Sequence, residues 1–186
     1  MTVRNRNYAL SLPELPFARP GGAKGDPKIA SLSIRSVNRS KKNQSINGRI
    51  ITRSSRAQWY ELRLSYAPMH HTQISPIISF LEQCEGQHQE FRVPIFPLTG
   101  QYGLAIGQYV NFDNDVKLHM VTETTPTAVV TPPARFENGA MIIPQTQNPA
   151  DVDTVYMVCS LKQDVQTVDV DNRGLVRLSL DLVERL

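Results

Sequence analysis

This sequence predicts a mainly β protein, on three grounds. It carries 13 prolines in 186 residues, one convincing helical stripe, and period-two alternation of apolar and polar side chains in several separate runs. The length suits one compact domain or a core with a small second lobe, and 40% hydrophobic with 20% charged residues is the balance of a soluble globular chain.

Residues 1–28 contain Pro13, Pro16, Pro20, Gly21, Gly22, Gly25 and Pro27, so regular structure is interrupted at short intervals and an extended basic arm is expected. Ile29 to Val37 reads as a first strand, followed by a basic polar turn at 38–43 and a strand near Ile46 to Arg53. The clearest run is Arg56 to Tyr66. There Tyr60, Leu62, Leu64 and Tyr66 alternate with Glu61, Arg63 and Ser65, as in a half-buried strand. Pro68 ends it, having no amide hydrogen to give a ladder.

Ile74, Ile77, Ile78 and Leu81 then recur at i, i+3, i+4 and i+7, which predicts a helix over 72–85 with Thr72 as N-cap and Gly86 in the left-handed position beyond it. Pro76 is tolerated on this reading because it falls in the first turn. Glu90 to Phe96 resumes alternation through Phe91, Val93 and Ile95. The strand–helix–strand unit can pair its strands directly, or lay the helix over one face of a small sheet.

Pro97 to Gly107 marks a boundary, and short β segments follow at Tyr109 to Phe112, Val116 to Thr122, Thr127 to Thr131 and Ala140 to Pro144. They predict a small sheet or barrel-like insertion over 97–150. The longer pattern returns at Thr154 to Leu161 and Gln166 to Val170. After a turn ending at Gly174, Leu178, Leu180 and Leu182 alternate with Arg177, Ser179 and Asp181, so this strand buries one face. The expected core therefore joins 29–96 to 151–186 around Tyr60, Leu62, Leu64, Ile74, Ile77, Ile78, Leu81, Phe91, Leu178 and Leu180.

The formal net charge is +3, unevenly distributed. Residues 1–63 hold 13 Lys or Arg against 3 acids, +10, and residues 64–186 hold 7 against 14, −7. Such a split suits nucleic-acid binding, or subunits that pack one chain's arm against another's body, and the second reading is preferred. The basic turn at 38–43 reads as a solvated hairpin tip, because no aromatic residue between positions 18 and 58 can stack a base. Cys84 continues the helical stripe and Cys159 lies in an apolar strand, so both read as buried free thiols. The first residues lack an apolar signal core and no run is long enough to span a bilayer, which points to assembly in a cytoplasm.

Catalytic patterns are missing. Gly100, Gly103 and Gly107 precede a strand, where a phosphate loop would open a helix. His70 and His71 are adjacent and lack the i, i+4 partner of a helical zinc pair. Asn111, Asp113, Asn114 and Asp115 begin like a calcium loop but lack its glycine and late glutamate, so a hairpin turn is expected. The pairs Asp151/Asp153 and Asp169/Asp171 have no accompanying acid or nucleophile. No catalytic, metal or cofactor residue is assigned, and the chain is read as a non-enzyme.

Several of these stretches, taken together, resemble a known family. The alternation Trp59-x-x-Leu62-x-Leu64, the turn Ala67-Pro-Met69, the helix closing with Phe80-Leu81 and Glu85-Gly86, and Phe91-x-Val-Pro94 are similar to minor tail proteins of tailed bacteriophages related to the distal tail protein. Residues 111–122 resemble the small β insertion of those proteins, and 174–184 their final strand. The resemblance implies a tail-tube-like β-sandwich flanked by one helix. It implies a homomeric ring, six-fold in such proteins, joining the tail tube to the tip or baseplate of a virion, with tube and hub or tip subunits as neighbours and neither membrane nor specific nucleic acid as partner.

A cyclic ring needs two different complementary surfaces per subunit. The basic arm and the strands after it are expected to supply one, through Arg4, Arg6, Arg19, Lys24, Lys28, Arg35, Arg39, Lys41 and Lys42. Deleting residues 1–28 should then leave a folded core and weaken the oligomer. The alternative is a basic nucleic-acid-binding β-barrel using Arg35, Arg39, Lys41 and Lys42 along a phosphate backbone.

Overall fold

The computed structural model describes residues 6–18, 25–95, 106–112, 115–123, 129–131, 155–163 and 168–185. A short helix α1 (Arg6–Ser11) precedes a long hairpin of β1 (Ile29–Gln44) and β2 (Ile50–Tyr66). Then come β3 (Met69–His70), helix α2 (His71–Gln83) and β4 (Phe91–Pro94). β5 (Tyr109–Phe112), β6 (Asp115–Glu123) and β7 (Val129–Thr131) form a separate three-stranded antiparallel sheet. β8 (Tyr156–Leu161), β9 (Val168–Val170) and β10 (Leu175–Glu184) complete the main sheet. The protein is mainly β.

The main sheet runs β1-β2-β10-β8-β4, and β10 is its spine. One half of β10 pairs with β3 and β9, the other with β2 and β8. β3 continues β2 past Pro68, and β9 continues β8, so β10 is flanked on each side by an interrupted strand. Register aligns the apolar parities: Leu64 lies opposite Leu32 and Leu180, and Leu62 opposite Ile34 and Leu182. A slip of one residue would turn all of them to solvent, which is why the alternation specifies this pairing.

Helix α2 closes that face. Ile74, Ile77 and Leu81 are fully buried with Tyr60, Phe91, Leu178 and Leu180, whereas Ile78 is only partly buried at the margin. Phe80 meets Phe91 edge to face at 5.4 Å. Each fully buried Leu or Ile contributes roughly 2 kcal/mol over leaving it exposed. Cys84 and Cys159 are buried free thiols in this core, and burial pushes both thiols up.

Four expectations are corrected. The helix spans His71–Gln83 with His70 at the N-cap position, where the Gln73 side chain accepts the His70 amide at 3.1 Å, so Thr72 is inside the first turn. Pro76 is then the sixth helical residue and removes the amide that would bond to the Thr72 carbonyl, a loss offset by burial of the helix face. At the other end Cys84 caps, and Glu85 enters the left-handed region (φ 48) before Gly86 does (φ 68).

The third correction concerns the first hairpin. Residues 38–43 form no turn, because β1 continues to Gln44, with Lys41 opposite Arg53 and Gln44 opposite Ile50. The chain reverses at Ser45–Gly48, where the Gly48 amide donates to the Ser45 carbonyl and the Ser45 amide to that of Arg49, both at 2.9 Å. Gly48 stands at φ 76 with open space about it. This is a turn followed by a left-handed glycine, the three-residue hairpin solution. Gly48→Ala is expected to strain only the backbone, by about 1 kcal/mol. Amide exchange should quicken at 40–54 with the global melting temperature unchanged.

The fourth concerns the expected arm. Arg4, Arg19 and Lys24 lie outside the described residues, but 6–18 are not extended over solvent. Ala9, Leu15 and Ala18 are buried, and Ala9 packs with Val116, Tyr156 and Val158 on the sheet face opposite α2. Spaced prolines broke long regular structure without preventing packing, since Leu15 and Ala18 need only local chain direction to reach the core.

The β5–β7 sheet packs across one end of the main sheet. Leu118 joins the main core, and Tyr109 meets Tyr60 edge to face at 5.5 Å. Of the expected insertion strands, the run at Ala140 to Pro144 falls outside the described residues, as do Asp113, Asn114, Asp151 and Asp153.

Candidate functional site

The two edges of the main sheet are treated differently. β4 is closed by the chain itself: the Leu15 amide donates to the Arg92 carbonyl at 3.0 Å and the Arg92 amide to that of Pro13 at 2.9 Å. Arg92 also reaches Glu14 at 3.2 Å. A strand edge left bare invites pairing with another chain, so this closure removes one such edge.

β1, on the other side, is bare. Among the described residues no strand pairs with its outer edge, and Ile29, Leu32 and Ile34 on its inner parity stay partly exposed while packing against the core. Lys28 and Arg35 are exposed along it. Beyond the body, 38–53 project as a two-stranded ribbon whose every residue is exposed, including Arg39, Lys41, Lys42, Ile46, Ile50 and Ile51. Of the nine basic residues expected at an interface, Lys28, Arg35, Arg39, Lys41 and Lys42 thus gather on one hairpin and its approach. Arg6 begins α1. Sequence reading missed the reach of the ribbon and its further cations Arg49 and Arg53, although Asn47-Gly48 between two apolar-polar runs was the available signal.

The outer sheet face beside β1 holds a shallow cavity of about 320 Å³ lined by Ser33, Arg35, Glu61, Arg63, Lys162 and Asp181. Four of its five charges are paired, Lys162 with Glu61 at 2.8 Å and Arg63 with Asp181 at 3.3 Å, and Arg35 stands opposite Glu61 across the β1–β2 ladder. Exposed pairs of this kind contribute about 0–1 kcal/mol each, and they leave little uncompensated charge for a ligand.

A buried polar cluster fixes how the second sheet sits. Glu184 is 5% exposed; its carboxylate accepts the Leu118 amide at 2.8 Å and the Tyr60 amide at 2.9 Å, tying β6 to β2. Burial pushes the Glu184 carboxyl above its ordinary value, against the opposing pull of those two amides, Lys117 and His119. Lys117 donates to the Gln58 carbonyl at 2.6 Å, and burial lowers it despite Glu184 and Asp115. Burial also opposes charge on Asp115, but His119 at 3.3 Å and the Lys117 amide outweigh it and hold that carboxyl low. All these groups are occupied with each other and with backbone, as in a structural staple. The Asn111 side chain belongs to it too, accepting the Tyr156 amide at 2.8 Å.

Among the described residues no three His, Cys, Asp or Glu side chains group as a metal site. His70 and His71 are exposed at the start of α2. Asp169 faces Arg177 across the β9–β10 ladder, and Asp171 forms the turn to Gly174. No helix of the described residues is long and apolar enough to cross a membrane. Neither protein-family models nor curated proteins match the chain.

Proposed function

We propose that this protein is a structural subunit of the distal tail protein class, assembling with copies of itself into a ring where a bacteriophage tail tube meets its tip or baseplate. One observation carries the assembly reading: of the two edges of the main sheet, the chain closes β4 with its own residues 13–15, and among the described residues no strand pairs with the outer edge of 16-residue β1. A neighbour docking on β1 would cover the partly exposed Ile29, Leu32 and Ile34, and a ring requires that it do so with a different surface of its own, which the closed β4 edge does not supply as a free strand. The tail assignment adds the sequence resemblance to this. Function is then mechanical, as a junction, with tube and hub or tip subunits above and below.

Electron microscopy and sedimentation of the purified protein test it. A ring with a central hole, together with slower amide exchange at 29–37 in the assembly than in dilute protein, is expected. Compact monomers at all concentrations would sink the proposal.

A further inference from the structure

We infer that the projecting ribbon 38–53 is a binding element for duplex nucleic acid, held through its phosphates. No Asp or Glu lies between Asp26 and Glu61, and the ribbon carries Arg39, Lys41, Lys42, Arg49 and Arg53. Its other side chains are mostly amides and hydroxyls, Asn38, Ser40, Asn43, Gln44, Ser45, Asn47 and Thr52, the types that bond phosphates and base edges.

Geometry narrows the ligand. Lys41 and Arg53 are directly opposed across the ladder, so two like charges stand side by side on one face, an arrangement that destabilises a free ribbon. An anion between or above them removes that cost. Lys42, the next residue, projects from the opposite face. Cations on both faces fit an element enclosed by charge on two sides, whereas an acidic protein surface would meet one face only. From the Ser40–Ser54 pair to the turn, the ribbon extends about 17 Å at the usual strand rise. Two strands of that reach enter a duplex groove, which is roughly 12 Å wide on the major side. Ile46 at the tip, wholly exposed, supplies an apolar contact there. The missing aromatics argue against single strands, which are held by stacking, and leave duplex binding untouched. The inference is independent of the ring, whose neighbour contact lies on β1 nearer the body.

Fluorescence anisotropy of the full chain with a 20-base-pair DNA duplex tests this. Binding should weaken with salt at a log–log slope of about −4.5, as five phosphate contacts require. Lys41→Glu with Arg53→Glu should lower affinity by about a hundredfold at low salt and flatten the slope, with the melting temperature unchanged because both positions lie outside the core. A single strand of equal length should bind more weakly. The inference falls if the duplex does not bind at low salt, or if the double variant binds it as well as wild type. It falls equally if the double variant disperses the ring while DNA affinity is retained, which would make the ribbon's occupant a second copy.

Discussion

Glu184→Ala is expected to lower the unfolding free energy by about 4 kcal/mol. The change leaves the Leu118 and Tyr60 amides buried without their acceptor, at about 1–3 kcal/mol each, and opens a cavity besides. Glu184→Gln keeps one oxygen but sets an NH2 group against a backbone amide, donor against donor, so about 2 kcal/mol should be lost. The pH dependence has a definite sign. A carboxyl whose folded value lies above its unfolded value binds extra proton on folding, so its contribution to stability is greatest below the ordinary glutamate range and falls as pH rises through it. The advantage of wild type over Glu184→Gln should therefore shrink from acid toward neutral pH. Urea titrations at several pH values check this; a gap that widens with pH would mean that the two amides, Lys117 and His119 outweigh burial at the Glu184 carboxyl.

Removal of residues 1–18 should unfold the protein. Ala9, Leu15 and Ala18 leave the core, the β4 edge opens, and Val158 and Tyr156 on the face opposite α2 lose their cover. Such losses sum to about 5 kcal/mol or more, comparable with the whole stability of an ordinary domain. Leu15→Ala isolates one part of this, with a loss of about 3 kcal/mol expected. Near-ultraviolet circular dichroism and denaturant titration of both variants are the measurements. A truncated chain as stable as the full one, failing only to assemble, would restore the arm reading that the packing of 6–18 overturns.

The strands with one buried face were legible, because period two is visible whenever one side meets water. Tyr60 to Tyr66 and Leu178 to Leu182 needed nothing else, and Ile74 to Leu81 declared the helix in the same way. Residues 6–18 were not legible: a six-residue helix just ahead of Pro13 has no period to read, and Leu15 is held by a strand 77 residues later. The ribbon was foreshortened because a run of basic and polar residues imitates a turn when neither face is buried. Glu184 was overlooked for a different reason. It keeps the inward parity of Leu178, Leu180 and Leu182, and a carboxylate in an apolar slot was a signal that strand patterning treats as the strand's end.

The position of β10 governs how this chain can reach its native state. The strand that bonds to β2, β3, β8 and β9 follows all of them in the chain, so none has its central partner until residues 175–184 are available. Until those residues are made, Leu64 and Leu62 lack the neighbours Leu180 and Leu182 that stand opposite them in the native sheet. Pairing across more than a hundred residues carries a large loop-closure cost before any contact repays it, so folding should be slow, in milliseconds to seconds, and exposed to aggregation. Any copy that enters the proposed ring is thus one already completed through β10.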